Sequence, residues 1–243
     1  MKSRKGVHLL PSLFTTGNVF CGFYSFIAAL NDKFLLAAWA IVLATIFDFL
    51  DGRIARMTKT TSDFGMQYDS LADVISFGMA PAFLCYAWVL KPFGRIGWMA
   101  AFLYLLCAAL RLARFNTVKE VQSQYFVGLA TPAAAAVIAS ILIAFEDLFG
   151  SRVHPGFMVA IVYILAFLMV SNIKYPAFKK FEFRKRVSFT RFLLVILVLY
   201  ALATIPKIAL FIISFGYTML GPIVAFSFQK NNLNAVSDNI KFP

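Results

Sequence analysis

A series of long apolar segments constrains this chain more than any other feature of its sequence. Several stretches, such as LLAAWAIVLATIF just before Asp48, approach the roughly 20 apolar residues that a helix needs to cross a hydrocarbon core. Hydrophobic residues make up 61% of the 243-residue chain, whereas an ordinary soluble domain is about half apolar. Inside a bilayer each segment must satisfy its own backbone hydrogen bonds, so helices are the expected elements. The sequence therefore predicts an all-α polytopic membrane protein.

The apolar segments predict about eight transmembrane helices, equivalent to a six-helix core followed by a C-terminal hairpin. The predicted spans are residues 9–30, 34–50, 69–90, 94–115, 128–145, 155–170, 192–205 and 208–228. Only Pro206 and Lys207 separate the last two. Residues 1–228 are expected to form a single transmembrane domain, and residues 229–243 a cytoplasmic C-terminal tail.

Basic residues predict how these spans are oriented. If the N-terminus is cytoplasmic, all but five of the 23 Lys and Arg residues fall on the cytoplasmic side, as the positive-inside rule requires. The five exceptions are Lys33, Lys91, Arg95, Arg152 and Lys207. Both termini are therefore expected in the cytoplasm, and the net charge of +12 is attributed to topology and to attraction by anionic lipid headgroups. Because the basic residues are spread over short loops, a nucleic-acid partner is not expected.

Acidic residues are few, and they are concentrated in one stretch. Of the 11 acidic residues, five lie between Asp48 and Asp73, and carboxylates at a membrane edge by default mark a functional site. Asp48 and Asp51 share one helix face at the end of the second span, and Asp69 and Asp73 share one at the start of the third. The connection of residues 52–68 is short enough to make the two helices antiparallel neighbours. The four carboxylates are therefore expected to converge near the inner headgroup region.

Four carboxylates this close together repel one another unless cations offset their charge. An all-oxygen cluster suits Mg²⁺, Mn²⁺ or Ca²⁺ and disfavours zinc, particularly with no His or Cys nearby. Two divalent ions would balance the four charges and keep capacity for a phosphate-bearing substrate.

The residues around the carboxylates suit such a substrate. Gly52 and Ala55 leave one helix face bare, so that a bulky group can approach the backbone, and Arg56 offers a planar fork of donors for phosphate oxygens. Gly65 lets a loop or a ligand pass close to the next helix. Asp63, in TTSDFG, is expected only to cap a helix in a hydrated loop.

The complete pattern resembles the signature of the CDP-alcohol phosphotransferase family at every fixed position. The matching residues are Asp48, Asp51, Gly52, Ala55, Arg56, Gly65, Asp69 and Asp73. The resemblance extends over roughly the first 140 residues. Members of that family are integral membrane enzymes with an aspartate-bound dimetal site, which move a substituted phosphate from a CDP-linked donor to an alcohol and release CMP.

Three further segments resemble the bacterial type II phosphatidylserine synthase branch of that family. LLPSLFTTGNVFCGF is similar to its first helix, with Thr15 and Asn18 retained and Ser12 in place of the usual Asn. ALRLARFN and YFVGLATPAAA are similar to later segments, with Ala130 in place of a usual proline. The resemblance implies transfer of a phosphatidyl group from CDP-diacylglycerol to L-serine, giving phosphatidylserine and CMP.

The resemblance also implies a role for each site residue. Asp48, Asp51 and Asp69 would hold the metal ions, Mg²⁺ or Mn²⁺ with Ca²⁺ as a further option, and two ions are expected. Asp73 would be both a metal ligand and the general base for the serine hydroxyl. The residues expected to bind CDP-diacylglycerol are Thr15, Asn18, Gly52, Ala55, Arg56 and Gly65. The residues expected to bind the serine carboxylate and its surroundings are Arg111, Arg114 and Asn116.

The setting expected from these patterns is the bacterial cytoplasmic (inner) membrane, with membrane lipids around the protein and the active site facing the cytoplasm. A homodimer is expected because members of this family often pair through membrane helices. Within the family, glycerol 3-phosphate or inositol is the alternative acceptor. A cation transporter is a different class of alternative, although its ion site would lie nearer the midplane. A purely structural membrane protein would leave the aspartate spacing unexplained.

Overall fold

The computed structural model of the chain describes residues 9–58, 62–117, 125–146, 150, 152–176, 193, 197 and 204–239. Its α-helices are α1 (Leu9–Leu30), α2 (Phe34–Thr58), α3 (Asp63–Asp73), α4 (Ala80–Cys85), α5 (Gly94–Thr117), α6 (Thr131–Ala144), α7 (Pro155–Val170) and α8 (Pro206–Asn239). Two π-helical segments, Val74–Met79 and Tyr86–Leu90, flank α4, and a 3₁₀ turn, Lys91–Phe93, leads into α5. Two short strands, β1 (Tyr125–Val127) and β2 (Lys174–Pro176), complete the described elements.

Four helical stretches are long and apolar enough to cross a membrane, judged by length and composition. They are Pro11–Leu30, Phe34–Thr58, Asp63–Thr117 and Pro206–Ile223. The helices α6 and α7 are apolar but shorter, with 14 and 16 residues. These helices fit the predicted integral membrane protein. The number of spans and the side on which the termini lie stay predictions, and the predicted span 192–205 falls almost entirely outside the described residues.

The 55-residue stretch Asp63–Thr117 folds back on itself as two antiparallel arms. The reversal lies at Lys91–Phe93 and at Gly94, whose φ of 53° is a left-handed conformation that glycine adopts without strain. The Tyr104 hydroxyl of the second arm donates to the Phe77 carbonyl of the first at 3.2 Å. The start of α3 and the end of α5 therefore lie at the same end of the bundle, which we call the aspartate end.

The helix α2 continues well past the point predicted for its end. It reaches Thr58, and α3 begins at Asp63, so most of the predicted connection 52–68 is helical. A single glycine at position 52 does not stop a helix that is packed on one side. The next helix begins after Ser62, whose hydroxyl caps α3 by accepting a hydrogen bond from the Gly65 N–H at 3.0 Å. The cap predicted at Asp63 was therefore wrong by one residue.

The hairpin of α1 and α2 is packed through small residues. Ala37, Ala38 and Ala44 of α2 are fully buried, and small side chains let neighbouring helices approach closely. The buried Ser25 hydroxyl of α1 donates to the Ala37 carbonyl at 3.0 Å. The turn between the helices includes Asp32, which has a φ of 56°. This packing fixes α1 against the part of α2 that leads to the aspartates.

The opposite end of the bundle is joined by a polar cluster of four residues. The Trp88 indole N–H donates to Glu146 at 2.7 Å, and Arg152 donates to the Trp88 carbonyl at 3.1 Å. The Arg152 guanidinium also lies 5.1 Å from the centre of the Phe34 ring, as in a cation–π contact. These contacts therefore hold three helix ends at one depth along the bundle: the beginning of α2, the end of the first arm and the end of α6.

A small antiparallel pair of strands is the exception to the all-α expectation. β1 and β2 pair with Phe126 opposite Tyr175. The Tyr175 ring is buried against Gly221 of α8, and its hydroxyl donates to the Thr218 carbonyl at 3.3 Å. This burial raises the pKa of Tyr175 to about 12, so the donor stays protonated at neutral pH. The strand pair therefore connects α8 to the segment that precedes α6.

Candidate active site

Three of the predicted carboxylates meet between α2 and α3. Asp48 and Asp51 lie on α2 before its last two turns, and Asp69 lies on α3. One carboxylate oxygen from each of the three residues lies within 4.8 Å of the other two. Asp51 is only 4% exposed. The convergence predicted from the helix spacing is therefore present for these three side chains.

Asp73 adjoins this cluster one turn further along α3. Its carboxylate lies close enough to those of Asp48, Asp51 and Asp69 to interact with their charges. It is 8% exposed, and the Asn18 amide of α1 donates to its Oδ1 at 3.4 Å. The first π-helical segment begins at the next residue, and such wide turns are frequent at functional sites.

The cluster fits a hard divalent cation. Every donor in it is a carboxylate oxygen, which is the ligand type that Mg²⁺, Mn²⁺ and Ca²⁺ prefer. Asp69 Oδ1 is buried and has no hydrogen-bond partner among the described residues. A buried anionic oxygen in that state is costly unless a cation binds it. A bound divalent cation would account for both the clustered negative charge and the missing partner of Asp69 Oδ1.

Two neighbouring threonines on α1 have different surroundings. The Thr15 hydroxyl, which is 4% exposed, donates to Asp51 Oδ2 at 2.9 Å and also lies 3.1 Å from the Pro11 carbonyl one turn back along α1. The exposed Thr16 hydroxyl instead donates to the Ser12 carbonyl at 2.7 Å and lies 3.0 Å from the Tyr68 hydroxyl. Of these two threonines, it is Thr15 that orients a carboxylate of the cluster.

A cavity of about 360 Å³ opens beside the cluster. It is lined by Pro11, Ser12, Thr15, Asp51, Gly52, Ala55, Arg56, Ser62, Asp63, Gly65, Met66 and Asp69. Five of the six residues predicted to bind CDP-diacylglycerol are in this lining, and the sixth, Asn18, is fully buried beside Asp73. A Cβ added to Gly52 would have only the Arg56 guanidinium, at 3.9 Å, within 4 Å. This face of α2 is therefore open to the cavity.

Part of the cavity wall was missed in the sequence. Ser62, Asp63 and Met66, from the first turn of α3, all line the cavity. The available signal was the serine that precedes Asp63, since a serine before a helical pattern is a common N-cap. Locating the start of α3 at Ser62 would have placed its first turn beside Arg56.

The residues predicted to bind serine lie at the end of α5, outside the cavity lining. The Asn116 amide donates to the Ser70 hydroxyl at 3.0 Å, which joins the end of α5 to the residue after Asp69. Arg114 donates to the Asn172 side chain at 2.8 Å, and Arg111 lies near Tyr217 of α8. Asn172 could not be predicted as a partner, because it is 58 residues away in the sequence.

The comparison with known protein families agrees with this geometry. Residues 8–171, more than half of the chain, match the family described as CDP-alcohol phosphatidyltransferase. The chain belongs to the CDP-alcohol phosphatidyltransferase family. The matched segment contains every predicted site residue and extends beyond the 140 residues expected from the sequence motifs.

Three curated relatives of this chain share one name. A protein of Helicobacter pylori named CDP-diacylglycerol–serine O-phosphatidyltransferase is 38% identical over 233 residues, covering 93% of this chain and 97% of the relative. A protein of the same name from Bacillus subtilis is 32% identical over 174 residues, covering 72% of this chain and 93% of the relative. One from Methanocaldococcus jannaschii is 40% identical over 139 residues, covering 57% and 62%. The resemblance to phosphatidylserine synthases is thereby confirmed.

Proposed function

We propose that this chain transfers the phosphatidyl group of CDP-diacylglycerol to the hydroxyl of L-serine, giving phosphatidylserine and CMP. The observation that carries the proposal is the meeting of Asp48, Asp51 and Asp69 within 4.8 Å at the edge of a cavity lined by Arg56. The names of relatives that cover nearly the whole chain support serine as the acceptor.

The cavity is proposed to receive the cytidine diphosphate part of the donor. Arg56 is the cationic side chain in the lining, and its planar guanidinium can bind two phosphate oxygens at once. The open face at Gly52 and Ala55 admits the nucleotide close to the α2 backbone. Thr15 and Gly65 complete this wall.

Two divalent ions, Mg²⁺ or Mn²⁺ with Ca²⁺ as a further option, are proposed to be held by Asp48, Asp51, Asp69 and Asp73. When bound, such ions neutralise charge on phosphoryl oxygens and on the departing phosphate. Thr15 keeps one Asp51 oxygen fixed by its hydrogen bond at 2.9 Å, so that the ligand set is ordered before the ions bind.

Asp73 is proposed to accept the proton of the serine hydroxyl. A bond then forms between that oxygen and the phosphatidyl phosphorus, and the phosphoanhydride bond to CMP breaks, with its electron pair leaving on CMP. Asn18 donates to Asp73 Oδ1 and thereby orients the carboxylate that is proposed to take the proton. A positioned base of this kind typically contributes about 10²–10⁴-fold to the rate.

Serine is proposed to lie between Asp73 and the end of α5, where Arg111 and Arg114 attract its carboxylate and Asn116 bonds nearby. The bond from Asn116 to Ser70 places this helix end against the helix that carries Asp69 and Asp73. Arg114 is oriented by Asn172, so its guanidinium has a defined position on the aspartate side of the bundle.

The proposed setting is the bacterial inner membrane, with the aspartate end and both termini on the cytoplasmic side. The distribution of Lys and Arg supports this orientation. We also propose eight membrane spans, which form one transmembrane domain over residues 1–228 and are followed by a tail over residues 229–243. The protein is proposed to be a homodimer. Surrounding membrane lipids are further partners, and no nucleic acid is involved.

The test is CMP release by the purified protein in detergent with CDP-diacylglycerol and Mn²⁺ or Mg²⁺. L-serine, inositol and glycerol 3-phosphate are supplied separately. Of the three acceptors, only serine is expected to give fast CMP release. Faster release with inositol or glycerol 3-phosphate would reassign the acceptor within the family. No CMP release with any of the three acceptors would refute the proposal that the protein is an enzyme of this kind.

A further inference from the structure

Three buried side-chain oxygens have no hydrogen-bond partner among the described residues: Asn18 Oδ1, Asp69 Oδ1 and Thr131 Oγ1. The first two belong to Asp69, which is in the aspartate cluster, and to Asn18, which contacts Asp73, and a ligand bound there would supply the missing partner. Thr131 has a different position, at the first residue of α6, and it is 0% exposed. A buried hydroxyl without a partner costs free energy, so this threonine calls for an explanation of its own.

The first turn of α6 is a suitable site for an anion. Its N-cap, Ala130, has no side chain that can cap the helix. Pro132 carries no N–H, but the N–H groups of Thr131 and Ala133 have no intrahelical acceptor by their position. Helical side chains lean towards the N-terminus, so the Thr131 hydroxyl points to the same end as these groups. The first turn contains no acidic residue, and the helix dipole favours negative charge there.

Helix lengths place Thr131 at the depth of the aspartates. The cluster of Phe34, Trp88 and Glu146 at the opposite end serves as a common reference level. Asp48 comes 14 residues after Phe34, Asp73 comes 15 before Trp88, and Thr131 comes 15 before Glu146. At about 1.5 Å per helical residue, all three lie about 20 Å from the reference level. Because α6 packs against both α2 and the π-helical segment after Asp73, this turn lies at the aspartate end of the bundle.

Backbone contacts bring the same turn close to the basic end of α5. The Gly128 N–H donates to the Ile173 carbonyl at 2.9 Å, and Leu129 N–H donates to the Leu168 carbonyl at 3.0 Å. Asn172, the neighbour of Ile173, accepts the hydrogen bond from Arg114. The chain just before Thr131 and the Arg114 side chain therefore contact the same segment after α7.

We infer that the first turn of α6 binds the carboxylate of the acceptor amino acid and that the Thr131 hydroxyl is a specificity-determining group. The inference rests on the proposed transfer to serine. A serine molecule spans only a few ångströms from its hydroxyl to its carboxylate, so a carboxylate site must lie close to Asp73 and at its depth. The turn at Thr131 lies at that depth, at the aspartate end of the bundle, and its backbone donors would add to the positive charge of Arg111 and Arg114.

The test is the Thr131→Val variant, which removes the hydroxyl and keeps the volume. KM for L-serine is expected to rise by about tenfold or more, because the lost hydrogen bond is to a charged group. KM for CDP-diacylglycerol and kcat at saturating serine are expected to change less than about twofold, and Thr131→Ser is expected to restore the serine KM to within about threefold. The matched control is Ser140→Ala, since Ser140 is a buried hydroxyl of the same helix whose partner is Ser214 at 2.9 Å.

A serine KM in Thr131→Val that equals that of Ser140→Ala would overturn the inference. Parallel losses for both substrates without rescue by Thr131→Ser would also overturn it, because they indicate a structural role. These results leave the proposed function intact as long as the wild-type protein releases CMP with serine. Absence of that wild-type activity would overturn both.

Discussion

The hydrogen bond from Thr15 to Asp51 offers a sharp test of the proposed metal site. A Thr15→Val substitution keeps the side-chain volume next to α2 and removes the donor that lies 2.9 Å from Asp51 Oδ2. Loss of such a partner of a metal ligand typically costs about 10–100-fold in metal affinity or activity. That range corresponds to about 1.4–2.7 kcal/mol, in line with about 1.5–3 kcal/mol for a hydrogen bond to a charged group.

The assay for Thr15→Val is CMP release as a function of Mn²⁺ concentration. The Mn²⁺ concentration for half-maximal activity is expected to rise by about 10–100-fold, a larger factor than any change in KM for CDP-diacylglycerol. Thr16→Val is the matched control, because Thr16 is the next residue on the same helix and its hydroxyl contacts Ser12 and Tyr68 instead. Equal Mn²⁺ dependence in the two variants would refute the reasoning. A raised KM for CDP-diacylglycerol alone would show that Thr15 acts on the nucleotide.

Three further predictions concern the base, the acceptor site and the fold. Asp73→Asn is expected to lower kcat by about 10²–10⁴-fold, as measured by CMP release at saturating Mn²⁺, and near-normal turnover would exclude Asp73 as the base. Asn172→Ala and Arg114→Ala are both expected to raise the serine KM. The rise is expected to be smaller for Asn172→Ala, because Asn172 only orients the arginine. An unchanged serine KM in both variants would show that Arg114 is not part of the acceptor site. Gly128→Ala is expected to lower the thermal unfolding midpoint in detergent, because its φ of 77° costs about 1–2 kcal/mol for alanine and the new Cβ would overlap a backbone carbonyl of α7. Gly150→Ala is its control, because Gly150 has a φ of 56° and an added Cβ would meet no atom of the described residues within 4 Å; equal shifts in the two variants would contradict the overlap.

The aspartate cluster could be predicted because its geometry is local. Residues three or four apart share a helix face, and two helices joined by a short connection must be neighbours. The spacing of Asp48, Asp51 and Asp69 along the chain is therefore enough to predict that their carboxylates meet. The open face at Gly52 followed from the absence of a side chain at that position.

The remaining features depend on contacts between residues far apart in the sequence. No sequence signal near Thr58 shows that α2 continues past the aspartates, because the end of a helix also depends on its packing. The start of α3, by contrast, depends on the cap at Ser62. The contact of Arg114 with Asn172 and the burial of the Thr131 hydroxyl arise only when α5, α6 and α7 are packed together. Such pairings carry no periodic pattern that a sequence could display.

The acceptor site combines local and long-range features. The arginines at the end of α5 are visible as a motif, but their position relative to Asp73 is set by the reversal at Gly94 and by the bond from Asn116 to Ser70. The strand pair then fixes the residues before Thr131 against the segment that follows α7. Serine recognition is therefore expected to depend on residues from at least three separate parts of the chain.

The central claim is tested most directly by measuring the incorporation of radiolabelled L-serine into lipid together with CMP release by the purified protein. The proposed reaction predicts equal amounts of phosphatidylserine and CMP, loss of both products on addition of EDTA, and recovery of both with excess Mn²⁺ or Mg²⁺. CMP release without incorporation of serine, or unchanged product formation in EDTA, would contradict it.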